Sequence, residues 1–324
     1  MSHAIYQFFI NGGREAIVVR AFGKTGRVRQ AIGSRAKKTG IYALDKVDLF
    51  NILCIPGFTD KGDTPRSVYA AALRYCKERR AILLLDPPSS WDSIEDVINS
   101  DNGSIMPSRS ENGAIFFPRI LAPDPDQKNA IRSFVPCGAI AGVMARIDSQ
   151  RGVWKSPAGS EATITGITGL TVSLIDEDQA KLNPRGINCL RVFPAFGPVI
   201  WGSRTMMGVD ALHSEWKYLP VRRTALYIEE SVSRGIQWAV FEPNDEQLWS
   251  EIRLTVGAFM HDLFRRGAFQ GQTPRESYFA KCDRATTTQA DVDAGIVNII
   301  VGFAPLKPAE FVIIRIQQMA RKPT

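Results

Sequence analysis

Three short and almost entirely apolar runs alternate with helical patterns in the first 120 residues, and this alternation limits the possible folds most. The runs cover residues 49–55, 81–85 and 114–117, and helices are expected from about residue 64 and over residues 91–99. Strands that are apolar on both faces need cover on both sides, as in parallel sheets built from βαβ units. We therefore expect a mixed α/β (α+β) core with a largely parallel sheet flanked by helices.

Other segments complete this outline. A β-branched run at residues 15–20 predicts a further strand, and the small apolar residues 136–145 predict a tightly packed helix. The two clearest helices cover residues 221–239 and 244–266, the second with Asn244 as its cap and Gln247 completing a capping box. Closing strands are expected at 296–301 and 310–316. We divide the chain into residues 1–135, the N-terminal part of the core, and residues 136–324, a C-terminal helix and strand subdomain.

Composition excludes several classes of protein. No apolar run approaches the roughly 18 residues of a membrane span, so we expect no membrane insertion. The first residues have no basic head followed by an apolar stretch, and we expect no secretory signal. The five cysteines are widely spaced without a Cys-x-x-Cys pair, which argues against zinc and against a disulfide scaffold. They are interpreted as core residues in a reducing compartment.

The net charge of +7 is local. Residues 1–40 hold eight Lys or Arg residues and one acidic residue, while the rest of the chain is balanced. Most of the excess lies in the Gly-rich stretch 23–40, which reads as a solvated loop or flexible insertion. An alternative remains open, in which this loop serves an α/β protein that binds a nucleotide or a nucleic acid.

Motifs that carry chemistry are mostly missing. The three histidines are far apart in sequence, and Gly23-Lys24-Thr25 lacks the earlier glycine and the following helix of a phosphate-binding loop. Asp86 follows a strand and is interpreted as a turn or cap residue rather than a catalytic carboxylate. We expect no catalytic residue, no metal and no cofactor, and hence a structural or interaction protein rather than an enzyme.

Several separate motifs resemble one family, the contractile tail sheath proteins of bacteriophages and phage-tail-like injection particles. They extend in the right order from residue 8 to residue 316. The main ones are Phe8-Phe9-Ile10-Asn11-Gly12-Gly13-Arg14-Glu15-Ala16, Asn183-Pro184-Arg185-Gly186-Ile187-Asn188, Trp201-Gly202-Ser203-Arg204-Thr205, Trp216-Lys217-Tyr218-Leu219-Pro220, Trp238-Ala239-Val240-Phe241-Glu242-Pro243-Asn244 and Ala304-Pro305-Leu306-Lys307-Pro308-Ala309-Glu310-Phe311.

The resemblance implies a structural role. A sheath subunit polymerises around an inner tube and contracts to drive that tube through the envelope of a target cell. Its partners would be further copies of itself, the inner tail tube protein, and baseplate and tail terminator proteins, with no specific nucleic acid. The location implied is a virion tail or tail-like particle, assembled in the bacterial host cytoplasm.

Two departures from the family pattern are expected to matter. An N-terminal arm that precedes the first helix in similar proteins is missing, trimmed or replaced, and the usual surface insertion is reduced to loop 23–40. The chain therefore looks like a minimal sheath core.

Two sets of residues are expected to make the contacts between proteins. A terminal strand that exchanges between subunits would consist of Glu310, Phe311, Val312, Ile313, Ile314, Arg315 and Ile316. A helix facing the inner tube would present Glu246, Glu251, Arg253, Arg265 and Arg266.

Overall fold

A five-stranded sheet forms the centre of the fold in a computed structural model that describes residues 2–20, 28–57, 63–100 and 106–310. Its strands are β1 (Ile52–Cys54), β2 (Ile82–Leu85), β3 (Gly113–Phe117), β7 (Ile187–Phe193) and β8 (Gly197–Ile200). They lie in the order β1-β2-β3-β7-β8, and only β8 runs antiparallel to its neighbour. The expected mixed α/β fold with a largely parallel sheet is confirmed, and Ile52 opposite Ile82 shows that the first two apolar runs share one sheet.

Helices cover both faces of this sheet. Leu84 and Phe116 join a core cluster with helix residues such as Met144, while Leu83 and Phe117 face a second cluster on the other side. Successive side chains of a strand point to opposite faces of the sheet. A strand whose two faces are both covered is therefore apolar at every position. The helices are α1 (Ser2–Ile10), α2 (Val28–Ile32), α3 (Arg66–Glu78), α4 (Ile94–Asn99), α5 (Cys137–Arg151), α6 (Asp176–Leu182), α7 (Leu219–Gly235), α8 (Glu246–Arg265), α9 (Pro274–Ser277) and α10 (Gln289–Asp293).

Short 3-10 helices occur at Gly40–Lys46, Pro125–Gln127, Asp210–Leu212 and Gln237–Ala239. Three further strands, β4 (Ile120–Asp124), β5 (Ala130–Phe134) and β6 (Gly169–Leu170), form a small antiparallel sheet beside the central one.

The expected tight packing of residues 136–145 is confirmed in α5, which lies against α1. A Cβ atom at Gly138 would lie 2.1 Å from the carbonyl oxygen of Ala4, and one at Gly142 would lie 2.3 Å from that of Phe8. Real side chains never come so close, so glycine is required where the backbones of the two helices meet. The small residues of α5 are thus explained by helix-to-helix distance.

The C-terminal part has a core of its own. Helices α7 and α8 pack with an antiparallel pair of strands, β9 (Tyr278–Lys281) and β10 (Ile300–Phe303), around Ile252, Met260 and Leu263. The expected domain boundary at residue 135 lies between β3 and β7 in the sequence, and these two strands pair directly in the central sheet. We call this sheet and the helices that cover it the central unit. Where the chain divides into folding units stays a prediction.

Several local expectations were wrong. Residues 15–20 form no strand, and Ile17 and Val18 are about half exposed, because β-branched residues make a strand only where a partner strand is present. The expected strand at 296–301 begins only at Ile300. Residues 28–40 of the basic stretch are not a simple loop: α2 packs against α3 with Ala31 buried.

Candidate functional site

A buried guanidinium lies just after β8. The side chain of Arg204 is 1% exposed, and its backbone is fixed by Asn188 of β7. The backbone N–H of Arg204 donates to Asn188 Oδ1 at 2.6 Å, and Asn188 Nδ2 donates back to the carbonyl oxygen of Arg204 at 2.8 Å. Asn188 Nδ2 also donates to the carbonyl oxygen of Ile115 in β3. The central sheet therefore sets the position of Arg204.

The guanidinium of Arg204 binds Glu310 from the other end of the chain. Its Nε and Nη2 donate to the two carboxylate oxygens of Glu310, both at 2.6 Å, in the bidentate arrangement that is strongest for such pairs. Its Nη1 donates to Asp210 Oδ1 at 2.9 Å and to the carbonyl oxygens of Asn183 and Gly208. All three nitrogens of this buried guanidinium have acceptors.

Neighbouring charges keep the group ionised. Burial alone would lower the pKa of Arg204, but the carboxylates of Glu310 and Asp210 outweigh it and raise the pKa above its ordinary value. A hydrogen bond from Lys217, 2.7 Å away, and the charge of Arg204 hold the pKa of Asp210 below its usual value. Burial and the Glu310 charge raise the pKa of Tyr218, which donates its hydroxyl to Glu310 at 3.3 Å. We call these residues the Arg204 cluster: Asn183, Asn188, Arg204, Asp210, Lys217, Tyr218 and Glu310.

The cluster joins distant sequence motifs through buried hydrogen bonds and ion pairs. All of its members except Asp210 come from four of the motifs that carry the family resemblance, and they hold the chain at Glu310, the first residue of the expected exchange strand. The other residues of that strand, Phe311, Val312, Ile313, Ile314, Arg315 and Ile316, lie outside the described residues. Sequence reasoning did not single out Arg204, although an arginine between Trp201-Gly202-Ser203 and Thr205 was a usable signal.

The residues expected to face an inner tube all lie on or beside α8. Glu246, Glu251, Arg265 and Arg266 are exposed, whereas Arg253 is partly buried and binds Glu246 at 3.0 Å and the carbonyl oxygen of Cys282. Arg253 is therefore occupied within the C-terminal part.

The expected cap of this helix is wrong. Asp245 caps α8 by accepting from the backbone N–H of Leu248 at 3.0 Å. Asn244 is occupied elsewhere, since its Oδ1 accepts from Trp249 Nε1 at 2.8 Å and its Nδ2 donates to the carbonyl oxygen of Ile296. Gln247 donates to Glu251 instead of completing a capping box.

A cleft of about 640 Å³ opens where the central unit meets the C-terminal part. Trp154 and Trp201 give it aromatic walls, and residues 306–310 pass along one side. Its cationic lining consists of Arg151, Lys155, Arg266 and Lys307, while Glu310 is the one carboxylate among the described lining residues. Glu310 is bound to Arg204, Arg151 binds Glu161, and Arg266 lies 3.7 Å from Asp262. Lys155 and Lys307, which form no ion pair among the described residues, therefore supply the positive charge of the cleft.

One cation in the described part of the basic stretch is paired within the chain. Arg35 binds Glu78, lies 3.8 Å from Asp45 and sits over the ring of Tyr42. Residues 23–27 lie outside the described residues. The pairing of Arg35 leaves less positive charge for an anionic ligand than the sequence implied.

Asp86, at the end of β2, caps α5 from a distance. Its Oδ1 accepts from the backbone N–H of Cys137 at 2.9 Å, in line with the expected cap role. Its Oδ2 has no hydrogen-bond partner among the described residues, and the residue is 4% exposed. Burial raises the pKa of Asp86 to about 7, in spite of the Cys137 hydrogen bond and the charge of Arg119.

Asp86 should make the stability of the chain fall as pH rises. A carboxyl group whose pKa is raised on folding contributes stability that is complete below its unfolded pKa and is lost as pH rises through the folded one. As pH rises from 4 to 8, the free energy of unfolding of Asp86→Asn should increase relative to that of the wild type, by on the order of 1–3 kcal/mol. Urea unfolding at several pH values measures the difference, and a difference independent of pH would contradict this expectation.

The three histidines lie in different surroundings. His3 stacks on Phe134, His261 Nδ1 lies 3.1 Å from the Tyr278 hydroxyl, and His213 ends the 3-10 helix Asp210–Leu212. Within the described ranges, no three His, Cys, Asp or Glu side chains come together as a metal site would require. In the same ranges, no helix is both long and apolar enough to cross a bilayer.

Comparison with known proteins gives a consistent result. A family model for the phage tail sheath protein central domain matches residues 13–206, and one for the phage tail sheath C-terminal domain matches residues 213–319. A Pseudomonas aeruginosa (strain UCBPP-PA14) protein with the provisional name prophage major tail sheath protein is 27% identical over 254 residues. That match covers 73% of this chain and 59% of the relative, so the chain spans less than two thirds of that protein's length.

Solved structures of contractile particles share the fold. A baseplate structure of the anti-feeding prophage is 29% identical with a TM-score of 0.79, covering 98% of this chain and 80% of that chain. A sheath complex of the extracellular contractile injection system PVC, in its contracted state, is 26% identical with a TM-score of 0.77, covering 98% and 79%. The shared fold agrees with the two family models. The chain belongs to the phage tail sheath family.

Proposed function

We propose that this protein is the structural subunit of a contractile tail sheath, which polymerises around an inner tube and contracts to drive it through a target cell envelope. The observation that carries the proposal is the similarity of nearly the whole chain to a sheath complex in its contracted state. The alternative of a nucleotide- or nucleic-acid-binding protein is not supported, since the described relatives are sheath proteins and Arg35 is paired.

Electron microscopy of the purified protein is the direct test. Striated tubes of regular diameter are the expected result at high protein concentration. A protein that stays monomeric under all conditions that assemble related sheaths would contradict the proposal.

The proposal includes partners, location and mode of action. The subunit would bind further copies of itself, an inner tail tube protein, and baseplate and terminator proteins, in a tail or tail-like particle assembled in the host cytoplasm. No catalysis is needed, because contraction can draw its free energy from new contacts between rigid subunits in the compact lattice. The fixed Arg204 cluster supports this rigid-body view.

The C-terminal residues would link neighbouring subunits. A strand formed by residues 310–316 would add to a sheet of the next copy and bind through backbone hydrogen bonds. The clamp on Glu310 supports this role, because it fixes the point from which the segment leaves the subunit.

Helix α8 would face the inner tube with its exposed charges. Exposed ion pairs are individually weak, which suits a contact that must release on contraction. We expect Arg265→Glu with Arg266→Glu to prevent assembly around the tube while leaving the monomer folded. Co-sedimentation of sheath with tubes measures this, and the lysine variants of both positions are the matched control because they keep the charge.

Arg266 also lines the cleft, whereas Arg265 is not among its lining residues. The single variant Arg265→Glu therefore tests the tube contact without changing the charge of the cleft. Normal sheath assembly on the tube by the doubly reversed variant would contradict a tube-facing α8.

A further inference from the structure

An apolar knob projects from the loop between α7 and α8. It consists of Trp238, Val240 and Phe241, which are 40%, 61% and 102% exposed. Phe241 has a φ angle of 75°, a left-handed conformation that is costly for a bulky residue. A phenylalanine that is held in an unfavourable backbone conformation and fully exposed gains nothing within its own subunit. Such features are typical of sites that bind another molecule.

We propose that the knob of one subunit docks into the cleft of another copy of this chain. The proposal rests on the proposed function, in that both involve self-assembly, but it assigns two particular surfaces to that assembly.

The chemistry of the two surfaces is complementary. The cleft offers the aromatic walls of Trp154 and Trp201 and an excess of positive charge from Lys155 and Lys307. The knob offers an aromatic ring followed at once by the exposed carboxylate of Glu242. Aromatic groups pair favourably with offset or edge-on rings, and a carboxylate at the rim of a cationic cleft steers the correct partner.

The positions of the two surfaces exclude docking within one subunit. The knob precedes the first residue of α8, while Arg266 and Gly267 bring the end of that helix to the cleft. A helix of 20 residues is about 30 Å long, whereas the five backbone steps from Phe241 to Glu246 reach at most about 17 Å.

Knob and cleft therefore lie at opposite ends of α8, and the contact must form between copies. Two different surfaces that bind head to tail produce an open helical polymer unless the rotation closes a ring.

Photo-crosslinking tests the contact directly. Phe241→p-benzoylphenylalanine in the full chain, irradiated under assembly conditions, should give crosslinked dimers whose attachment sites map to residues 154–159 or 306–310 of the second copy. Attachment at another surface of an assembled copy would overturn the docking proposal and leave the sheath function intact. Failure of the unsubstituted chain to self-associate would overturn both.

Charge exchange gives an independent test. Glu242→Lys and the cleft variant Lys155→Glu/Lys307→Glu should each raise the critical concentration for assembly about tenfold or more. Combining all three substitutions in one chain should recover most of the loss, because each contact again pairs opposite charges. Ile131→Ala, at an exposed apolar residue of β5, is the control and should leave the concentration unchanged. Additive losses without recovery would overturn the proposal.

Discussion

Deletion of residues 311–324 is expected to yield folded, soluble monomers that form no tubes. Backbone hydrogen bonds contribute only about 1 kcal/mol each, but a strand added to a neighbouring sheet makes several of them. Repetition of the link along a lattice then multiplies its effect on assembly. Circular dichroism should report unchanged helix content, and electron microscopy should show no striated tubes.

Two controls identify the cause of that loss. Val312→Pro/Ile314→Pro keeps the length and charge of the segment but removes two backbone donors, and it should impair assembly in the same way. Deletion from Glu310 onward should also lower the unfolding temperature, because it leaves Arg204 without its bidentate partner. Tubes of normal length from the chain that ends at Glu310 would show that the strand does not link subunits.

Glu310→Ala should lower the stability of the monomer more than any other single substitution considered. It removes two charge-assisted hydrogen bonds from a guanidinium that is 1% exposed and leaves part of its charge unpaired. Breaking a buried ion pair in this way costs about 3–5 kcal/mol, and Asp210 offsets some of this cost. Urea unfolding should show the loss as a lower midpoint with an unchanged slope.

The pair can be tested as a unit. Arg204→Met/Glu310→Leu should be less destabilised than Glu310→Ala, because no buried charge is left without its partner. Lys307→Ala, three residues before Glu310 and exposed, should change stability by less than about 0.5 kcal/mol. Equal stability of Glu310→Ala and the wild type would show that the bond between Arg204 and Glu310 does not hold the fold together.

The sequence predicted the elements whose environment is uniform. Within the expected strand 81–85, residues 82–85 form β2 and every side chain in it is buried, and the small residues of α5 reflect its contact with α1. The prediction failed at residues 15–20, where a strand-like composition occurs without a partner strand among the described residues. A strand forms only where it can pair with the edge of another strand, and the sequence of the segment does not show whether such a strand lies nearby.

The same limit explains what was missed in the site. Arg204 and Glu310 are 106 residues apart, and nothing local to either marks them as partners. Asn244 has the right type and place for a helix cap, but Trp249 Nε1 uses its side-chain oxygen and Asp245 takes the role. Local rules name the candidates, and tertiary contacts decide between them.

The hydrogen bonds around Arg204 determine where tension would enter the subunit. A pull applied at residue 311 reaches Glu310 first and passes through Arg204 to Asn188, which is bonded to β3. The load is then shared by parallel strands of the central sheet, and less of it reaches the pair of β9 and β10, which lies seven residues further back along the chain. A two-stranded pair loaded at its end would open one hydrogen bond at a time. If the residues after Glu310 link copies as proposed, tension would pass along a chain of copies mainly through the central sheet of each subunit.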